Sequence, residues 1–158
     1  MADNSQNEVL INTFYQAFKD KDAATMNACY AEHIVFEDPA FGRLNGDEVR
    51  AMWSMLIERG RKELKVSHEV IETTNGGATA TWEAIYPFSK TLRIVHNKIH
   101  AQFIIEEGKI VYHKDTFNIW KWSSMALGLP GMLLGWSGFM KNKIRQQALS
   151  ALKKYMAS

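Results

Sequence analysis

The amino-acid sequence predicts a single α+β domain in which helices come first and an antiparallel sheet follows. Up to Gly60 the apolar residues recur at helical spacing, whereas the segment from Leu64 to Trp120 breaks into short β-like runs separated by turns. The Asn75-Gly76 pair between two of these runs is typical of a hairpin. Helices followed by consecutive strands indicate the α+β class.

Two amphipathic helices are predicted at the start of the chain, over residues 8–19 and 23–30. Asp22 can cap the second helix, because a side-chain oxygen placed before a helix accepts a hydrogen bond from its unpaired N–H groups. We expect both helices to turn apolar residues toward one core: Leu10, Phe14, Ala17, Phe18, Met26, Cys29 and Tyr30.

A third helix is predicted after the turn-rich stretch 39–46. Asp47 is its expected N-cap and Gly60 its end. Its apolar residues have i, i+3, i+4, i+7 spacing: Val49, Met52, Trp53 and Leu56. The predicted extended segments are 34–38, 64–73, 78–86, 91–105 and 109–120.

Composition excludes several classes of protein. The 158 residues are 46% hydrophobic and 23% charged, which is typical of a folded domain rather than a disordered chain. The net charge of +2 comes from interleaved basic and acidic residues, so we do not expect a nucleic-acid partner. One cysteine, Cys29, cannot form an internal disulfide, and the start MADNSQNEV has no signal-peptide pattern, so a cytoplasmic location is expected.

Two segments carry a resemblance to a known family: FYQAFKDKDAATMNACYAEHIVFEDP over residues 14–39, and GKIVYHKDTFN over residues 108–118. Together with the element order over 8–120, they resemble the nuclear transport factor 2-like superfamily, in its SnoaL-like and ketosteroid isomerase-like branch. The resemblance implies a cone-shaped fold, with a curved sheet around a pocket capped by helices, and a homodimer. The expected pocket-lining residues are Phe14, Tyr15, Phe18, Phe36, Trp53, Trp82 and Phe117.

Asp38 matches the position of the proton-transferring base in the ketosteroid isomerase relatives. It shares a strand face with Phe36, and an apolar environment raises the pKa of a carboxyl toward that of a useful base. The alternative is an Asp-Pro turn without catalytic function. The chain departs from that enzyme at two positions, because Phe14 replaces its tyrosine donor and His100 replaces its donor aspartate. Classical ketosteroid isomerisation is therefore not expected.

Asp115 matches the acid/base aspartate of the SnoaL-type polyketide cyclases. Strand alternation places Val111, His113, Asp115 and Phe117 on one face, so the imidazole and the carboxylate can enter the pocket together. The alternative interpretation is a polar pair that closes a hydrogen-bond network in the core. Limonene epoxide hydrolase also has an aspartate at this position, but the arginine and second aspartate that orient its water are missing here, where Glu83 is the only acid on its strand.

We expect neither a cofactor nor a metal. His96 and His100 have the i, i+4 spacing of a helical metal site, but on a predicted strand they lie about 13 Å apart, which is too far to share one ion. Residues 1–122 are expected to form the SnoaL-like pocket domain, with 123–158 as a C-terminal part of the same domain.

The C-terminal part consists of an uncharged run, 123–140, and a basic amphipathic stretch, 141–156. Four glycines and Pro130 argue against a membrane span. In the favoured interpretation the amphipathic stretch docks on the domain or on a second subunit through Met140, Ile144, Ala148, Leu152 and Tyr155, while the Gly/Leu-rich run forms a loop over the pocket. The alternative is a membrane-surface contact through 123–156, led by Trp136 and Phe139.

The leading functional hypothesis is a SnoaL-like enzyme that acts on a small, largely apolar carbonyl compound by proton transfer, in an isomerisation or an aldol-type cyclisation. Asp115 or Asp38 would serve as the acid/base, and His113 and His100 would polarise or orient the substrate. A non-catalytic small-molecule binding module is the alternative, because the fold alone does not distinguish the two. Epoxide hydrolysis comes third.

Overall fold

The computed structural model describes residues 4–60 and 62–158. The first three residues of the MADNSQNEV segment, which was expected to carry no signal peptide, lie outside the described residues. Helices α1, α2 and α3 span Asn4–Lys19, Ala23–Ala28 and Asp47–Gly60. Strands β1 to β6 span Tyr30–Asp38, Gly42–Asn45, Lys65–Thr73, Gly77–Pro87, Ile94–Glu106 and Lys109–Thr116. Helices α4, α5 and α6 span Ile119–Leu127, Leu129–Leu134 and Gly138–Ala157.

The six strands form one sheet in the order β2-β1-β6-β5-β4-β3. Four of its five neighbouring pairs are antiparallel, and β1 runs parallel to β6. The α+β class is confirmed, but the parallel pair differs from the antiparallel sheet that the sequence predicts. Helix α3 lies between β2 and β3 in the chain, and the later strand β6 comes to lie beside β1, so residues near Asp38 and Asp115 end up on adjacent strands.

The second predicted helix is too long and one strand is missing from the prediction. Helix α2 stops at Ala28, because Tyr30 already pairs with Ile110 as the first residue of β1. The stretch predicted as a turn contains β2, which folds back on β1 through a tight connection. Gly42 makes this connection with a φ of +74°, a conformation that costs glycine little.

The core lies between the helices and the concave face of the sheet. Phe14 of α1, Trp53 of α3 and Phe36 of β1 meet there, and each is at most 2% exposed. The rings of Phe14 and Phe36 contact the Trp53 ring edge to face, with centroids 6.0 and 5.6 Å apart. Such aromatic contacts add to the burial of apolar area. The interior of the cone is therefore filled largely by rings.

The C-terminal segment is helical almost throughout. The prediction of a loop over 123–140 is wrong, because Asn118 caps α4 and the backbone continues into α5 after a break at Gly128. Helix α6 packs on α3 and buries Met140, Ile144 and Leu152, as expected for docking on the domain. Within residues 4–60 and 62–158, none of the helices combines the length and the apolar character needed to cross a bilayer.

Candidate functional site

His113 and Asp115 lie side by side on the concave face of β6. A β-bulge at Val111 shifts the strand so that Ile110 and His113 both point inward. His113 is fully buried and Asp115 is 3% exposed. The imidazole Nε2 is 2.8 Å from the Asp115 carboxylate, so the two side chains form a hydrogen bond inside the core. The prediction that they share an inward face is confirmed.

Three aromatic residues complete a hydrogen-bond chain around this pair. The Trp53 indole N–H donates to the Tyr30 hydroxyl oxygen over 2.8 Å, and that hydroxyl lies 2.8 Å from Nδ1 of His113. The Trp82 indole N–H donates to Asp115 over 3.2 Å. We assign His113 as the neutral tautomer protonated on Nε2, because then each donor in the chain faces an acceptor. We call this set the Tyr30–His113–Asp115 network.

Aromatic rings enclose the network on several sides. The His113 ring stacks on Trp53 with 16° between the ring planes, and its centroid lies 4.3 Å from the centroid of Phe103. Phe36 and Phe14 contact the imidazole edge to face at 5.1 and 5.7 Å. The Tyr30 hydroxyl, both His113 nitrogens, the two indole N–H groups and Oδ1 of Asp115 thus have partners in an apolar enclosure, which matches the polar core pair weighed from the sequence.

Asp38 occupies a more open position at the end of β1. Its carboxylate oxygen Oδ1 accepts the backbone N–H of Phe41 over 2.6 Å, so it does open the Asp-Pro turn. The side chain is nevertheless half-buried on the same face of β1 as Phe36. Burial is the main reason that the pKa of Asp38 rises to about 7; the Phe41 N–H opposes the rise and the charge of Asp115 adds to it.

Two further residues near Asp38 come from distant parts of the chain. The Tyr86 hydroxyl accepts the indole N–H of Trp122 over 2.9 Å, and the pKa of Tyr86 is raised by burial and by the Asp38 charge. Arg145 of α6 donates to the Pro39 carbonyl over 3.4 Å, and its charge lowers the pKa of Asp38. Sequence reasoning missed both residues, because no spacing signal connects β4 or α6 to the Asp38 turn.

Tyr15 supplies a phenol in the interior, although the sequence places it about 100° from the Phe14 face. Both side chains are fully buried, because α1 is covered on both flanks, and the two rings meet edge to face at 5.2 Å. The Tyr15 hydroxyl has no hydrogen-bond partner in the part of the chain that is described. Its pKa is raised by burial and then by the Asp115 charge.

His100 does not join the site. It lies on the exposed convex face of β5, whereas Asp115 is buried on the other face, so the structure does not bring His100 to the network where it was expected to polarise or orient a substrate. The register shift between Ile104 and Ile105 places Ala101, rather than His100, opposite Asp115. A shift of one residue turns a strand side chain to the other face of the sheet.

Six of the seven predicted pocket-lining residues are buried: Phe14, Tyr15, Phe18, Phe36, Trp53 and Trp82. The seventh, Phe117, is partly buried against the core.

The convex face carries the remaining titratable side chains considered from the sequence. Glu83 lies 3.5 Å from the His96 imidazole and 3.8 Å from the Lys98 ammonium group, with all three exposed to solvent.

Two open clefts of about 550 Å³ each lie outside the network, one along α1 and one across β3 to β6 near His100. Residues 4–60 and 62–158 contain no group of three or more His, Cys, Asp or Glu side chains placed to hold a metal ion.

Comparison with protein families identifies the fold and the family. The model of the SnoaL-like domain matches residues 11–113, from the middle of α1 into β6. The chain belongs to the SnoaL-like domain family. The match contains Asp38 and His113 and stops two residues before Asp115. A comparison with curated proteins finds no match.

Three solved structures share the fold at low sequence identity. A candidate polyketide cyclase from Xanthomonas campestris pv. campestris is 18% identical, with a TM-score of 0.62 over 78% of this chain and 98% of its own. An LEH-like epoxide hydrolase from M. tuberculosis is 18% identical, with a TM-score of 0.60 over 83% and 97%. A nuclear transport factor 2-like protein from Burkholderia xenovorans LB400 is 15% identical, with a TM-score of 0.63 over 80% and 98%.

Proposed function

We propose that this SnoaL-like protein binds a small, largely apolar carbonyl compound beside Asp38 and moves a proton between its carbon atoms. The observation that carries the proposal is the Asp38 carboxyl, which is half-buried at the end of β1 and has a pKa raised to about 7 by burial. A general base works best when its pKa lies near the working pH, because it is then both deprotonated and basic enough. Asp38 meets both conditions near neutrality.

In this proposal Tyr86 stabilises the developing oxyanion. Its oxygen accepts from Trp122, so its own O–H proton can point to a carbonyl oxygen. The Asp38 carboxylate takes a proton from the carbon next to the carbonyl, and the negative charge moves to the carbonyl oxygen as an enolate forms. In an isomerisation of an unsaturated carbonyl compound, the protonated Asp38 returns the proton to the far carbon of the dienolate as the double bond shifts. In a cyclisation, the enolate carbon attacks a second carbonyl of the same molecule, and the protonated Asp38 gives its proton to the alkoxide that forms, which restores the carboxylate. Neither route consumes a co-reactant.

The Tyr30–His113–Asp115 network has a supporting part in this mechanism. Asp115 is held between His113 and Trp82 inside the ring enclosure, which leaves Asp38 as the more accessible carboxyl. The negative charge of Asp115 raises the pKa of Asp38, so the network strengthens the base without contacting the substrate. The sequence favoured Asp115 as the acid/base, whereas burial and partners favour Asp38.

The test uses proton exchange with a simple probe, because the natural substrate is unidentified. Cyclohexanone in D₂O exchanges its α-protons slowly, and NMR follows that exchange with and without protein. We expect the wild-type protein to accelerate exchange, with a rate that rises as Asp38 deprotonates around pH 7. Asp38→Asn should lower the acceleration by at least about tenfold. Glu37→Gln is the matched control, since it changes the neighbouring carboxyl on the opposite face of β1.

Two results would contradict this function. The first is an acceleration that Asp38→Asn retains; the second is an NMR titration in which the Asp38 carboxyl has an ordinary pKa near about 4. Native mass spectrometry of protein purified from cells complements the exchange assay, because a retained small molecule would identify the compound class directly.

The second candidate function is a binding module without catalysis. It is favoured by the Tyr30–His113–Asp115 network, in which hydrogen bonds and rings occupy the groups that would otherwise act on a substrate. A retained ligand combined with no exchange of any α-proton would support it.

Epoxide hydrolysis ranks behind both, because the arginine beside Asp38 comes from α6 and donates to the Pro39 carbonyl. Homodimerisation stays a prediction.

A further inference from the structure

The C-terminal segment exposes a group of large apolar side chains, which we call the α5 face: Leu129, Met132, Leu133, Trp136 and Phe139. Their exposure runs from 52% for Met132 to 74% for Phe139. Single exposed apolar residues are common on protein surfaces, but a cluster of five within eleven residues of chain is typical of a contact surface.

The packing of α5 on α4 directs these side chains outward. Gly131 and Gly135 are buried against Ser123 of α4, and a Cβ on Gly131 would lie 2.0 Å from the Ser123 carbonyl oxygen. Only a glycine fits at that distance, so the side of α5 without side chains faces the protein. A helix that packs on a globular core normally does the reverse and buries its large apolar residues.

The backbone carbonyls at the end of α5 already have donors from side chains. The Trp120 indole N–H donates to the Met132 carbonyl over 3.0 Å, and the Trp136 indole N–H donates to the Leu133 carbonyl over 2.9 Å. The Ser137 hydroxyl donates to the Leu134 carbonyl over 2.6 Å. A polar group that enters an apolar phase without a partner is costly, and these bonds remove that cost for the exposed end of the helix.

The chain segment that carries the α5 face has charged residues of one sign. Residues 116–158 contain six basic residues and no acidic residue, whereas the first 115 residues contain 13 basic and 17 acidic ones. Lys141 and Lys143 lie two and four residues after Phe139 at the start of α6, and Lys121 precedes the face in α4; all three are exposed. A partner with an apolar interior and a negatively charged boundary complements this combination.

We propose that the α5 face docks on the surface of an anionic lipid bilayer. The apolar side chains enter the boundary between headgroups and acyl chains, the Trp136 ring lies at that boundary, and the lysines meet lipid phosphates. A second copy of the chain fits the charges less well, because a symmetric contact through the α5 face brings two basic segments to one interface without an acidic one. This surface contains none of the residues to which the proton transfer is assigned.

The test is co-sedimentation of the full chain with vesicles. Vesicles of phosphatidylcholine alone are compared with vesicles of equal parts phosphatidylcholine and phosphatidylglycerol, at low and high salt. We expect binding to the anionic vesicles that salt weakens. The double variant Trp136→Ser, Phe139→Ser should lower the partition coefficient by at least about tenfold. Its matched control is Val9→Ser, Ile71→Ser, which removes two apolar side chains outside the α5 face. These two residues are 65% and 57% exposed to solvent.

A second pair of substitutions separates charge from apolar contact. Lys141→Glu, Lys143→Glu leaves the α5 face intact and should lower binding to anionic vesicles by about tenfold, with far-ultraviolet circular dichroism confirming the fold. The proposal is overturned if the wild-type chain binds neither vesicle, or if the Trp136, Phe139 variant binds as the wild type does. It is also overturned if ultracentrifugation finds a dimer that this variant breaks, with no vesicle binding.

Discussion

Replacing Asp38 by asparagine should stabilise the protein at alkaline pH. Asparagine has nearly the shape of aspartate, and its oxygen can still accept the Phe41 N–H. It removes a charge that burial disfavours in the folded state. Between about pH 4 and pH 7, the folded protein keeps a proton on Asp38 that the unfolded chain has released, so the stability contribution of this group falls as the pH rises through that window.

The magnitude follows from the pKa. A rise of the Asp38 pKa from 3.8 to about 7 corresponds to a free-energy difference of about 4 kcal/mol, because a pKa change of one is worth about 1.36 kcal/mol. Asp38 is half-buried rather than sealed, so solvent screening reduces this figure and we expect about 2 kcal/mol. Asp38→Asn should therefore unfold with a free energy about 2 kcal/mol higher than the wild type at about pH 8, and with little difference at about pH 4.

Urea unfolding followed by tryptophan fluorescence at the two pH values measures this difference. Glu37→Gln removes the neighbouring carboxyl, which accepts the Tyr112 hydroxyl rather than a group of the Asp38 turn, and it serves as the control because the glutamine oxygen can still accept that hydroxyl. A difference of equal size at both pH values would refute the reasoning, because it would arise from packing rather than from ionisation. So would a loss of stability in Asp38→Asn at about pH 8, since the charge would then be favourable in the fold.

Three further substitutions test other parts of the structure. Tyr30→Phe removes the hydroxyl that bridges a buried indole N–H and a buried imidazole nitrogen, and it should cost about 2–3 kcal/mol in urea unfolding; a cost below about 0.5 kcal/mol would contradict the network. Gly131→Ala places a methyl group 2.0 Å from the Ser123 carbonyl oxygen, so amide exchange in α5 should accelerate while the sheet stays protected. Arg145→Gln removes a charge that lowers the pKa of Asp38, so an NMR titration should give a higher pKa, and an unchanged value would show that the two groups do not interact.

The sequence determined most of what depends on neighbours along the chain. Helical spacing identified α1 and α3 and most of their buried residues, and the Asn75-Gly76 pair marked the hairpin between β3 and β4. Alternation along β6 was enough to place His113 and Asp115 on one face. These signals work because the helix and the strand each repeat with a fixed short period, so residues two, three or four apart report on one another.

Tertiary structure decided what depends on residues far apart in the chain. Tyr30 bonds to His113 across 83 positions, because β6 lies beside β1, and Arg145 reaches the Asp38 turn from the last helix. The bulge in β6 left His100 and Asp115 on opposite faces of the sheet, and no local period encodes such a one-residue shift. The apolar sequence of α5 also does not show that its glycines face the rest of the protein. Composition and periodicity determine which residues share a face of a helix or strand. The order of the strands and the close contacts between helices decide whether that face meets the core, a carboxylate or solvent.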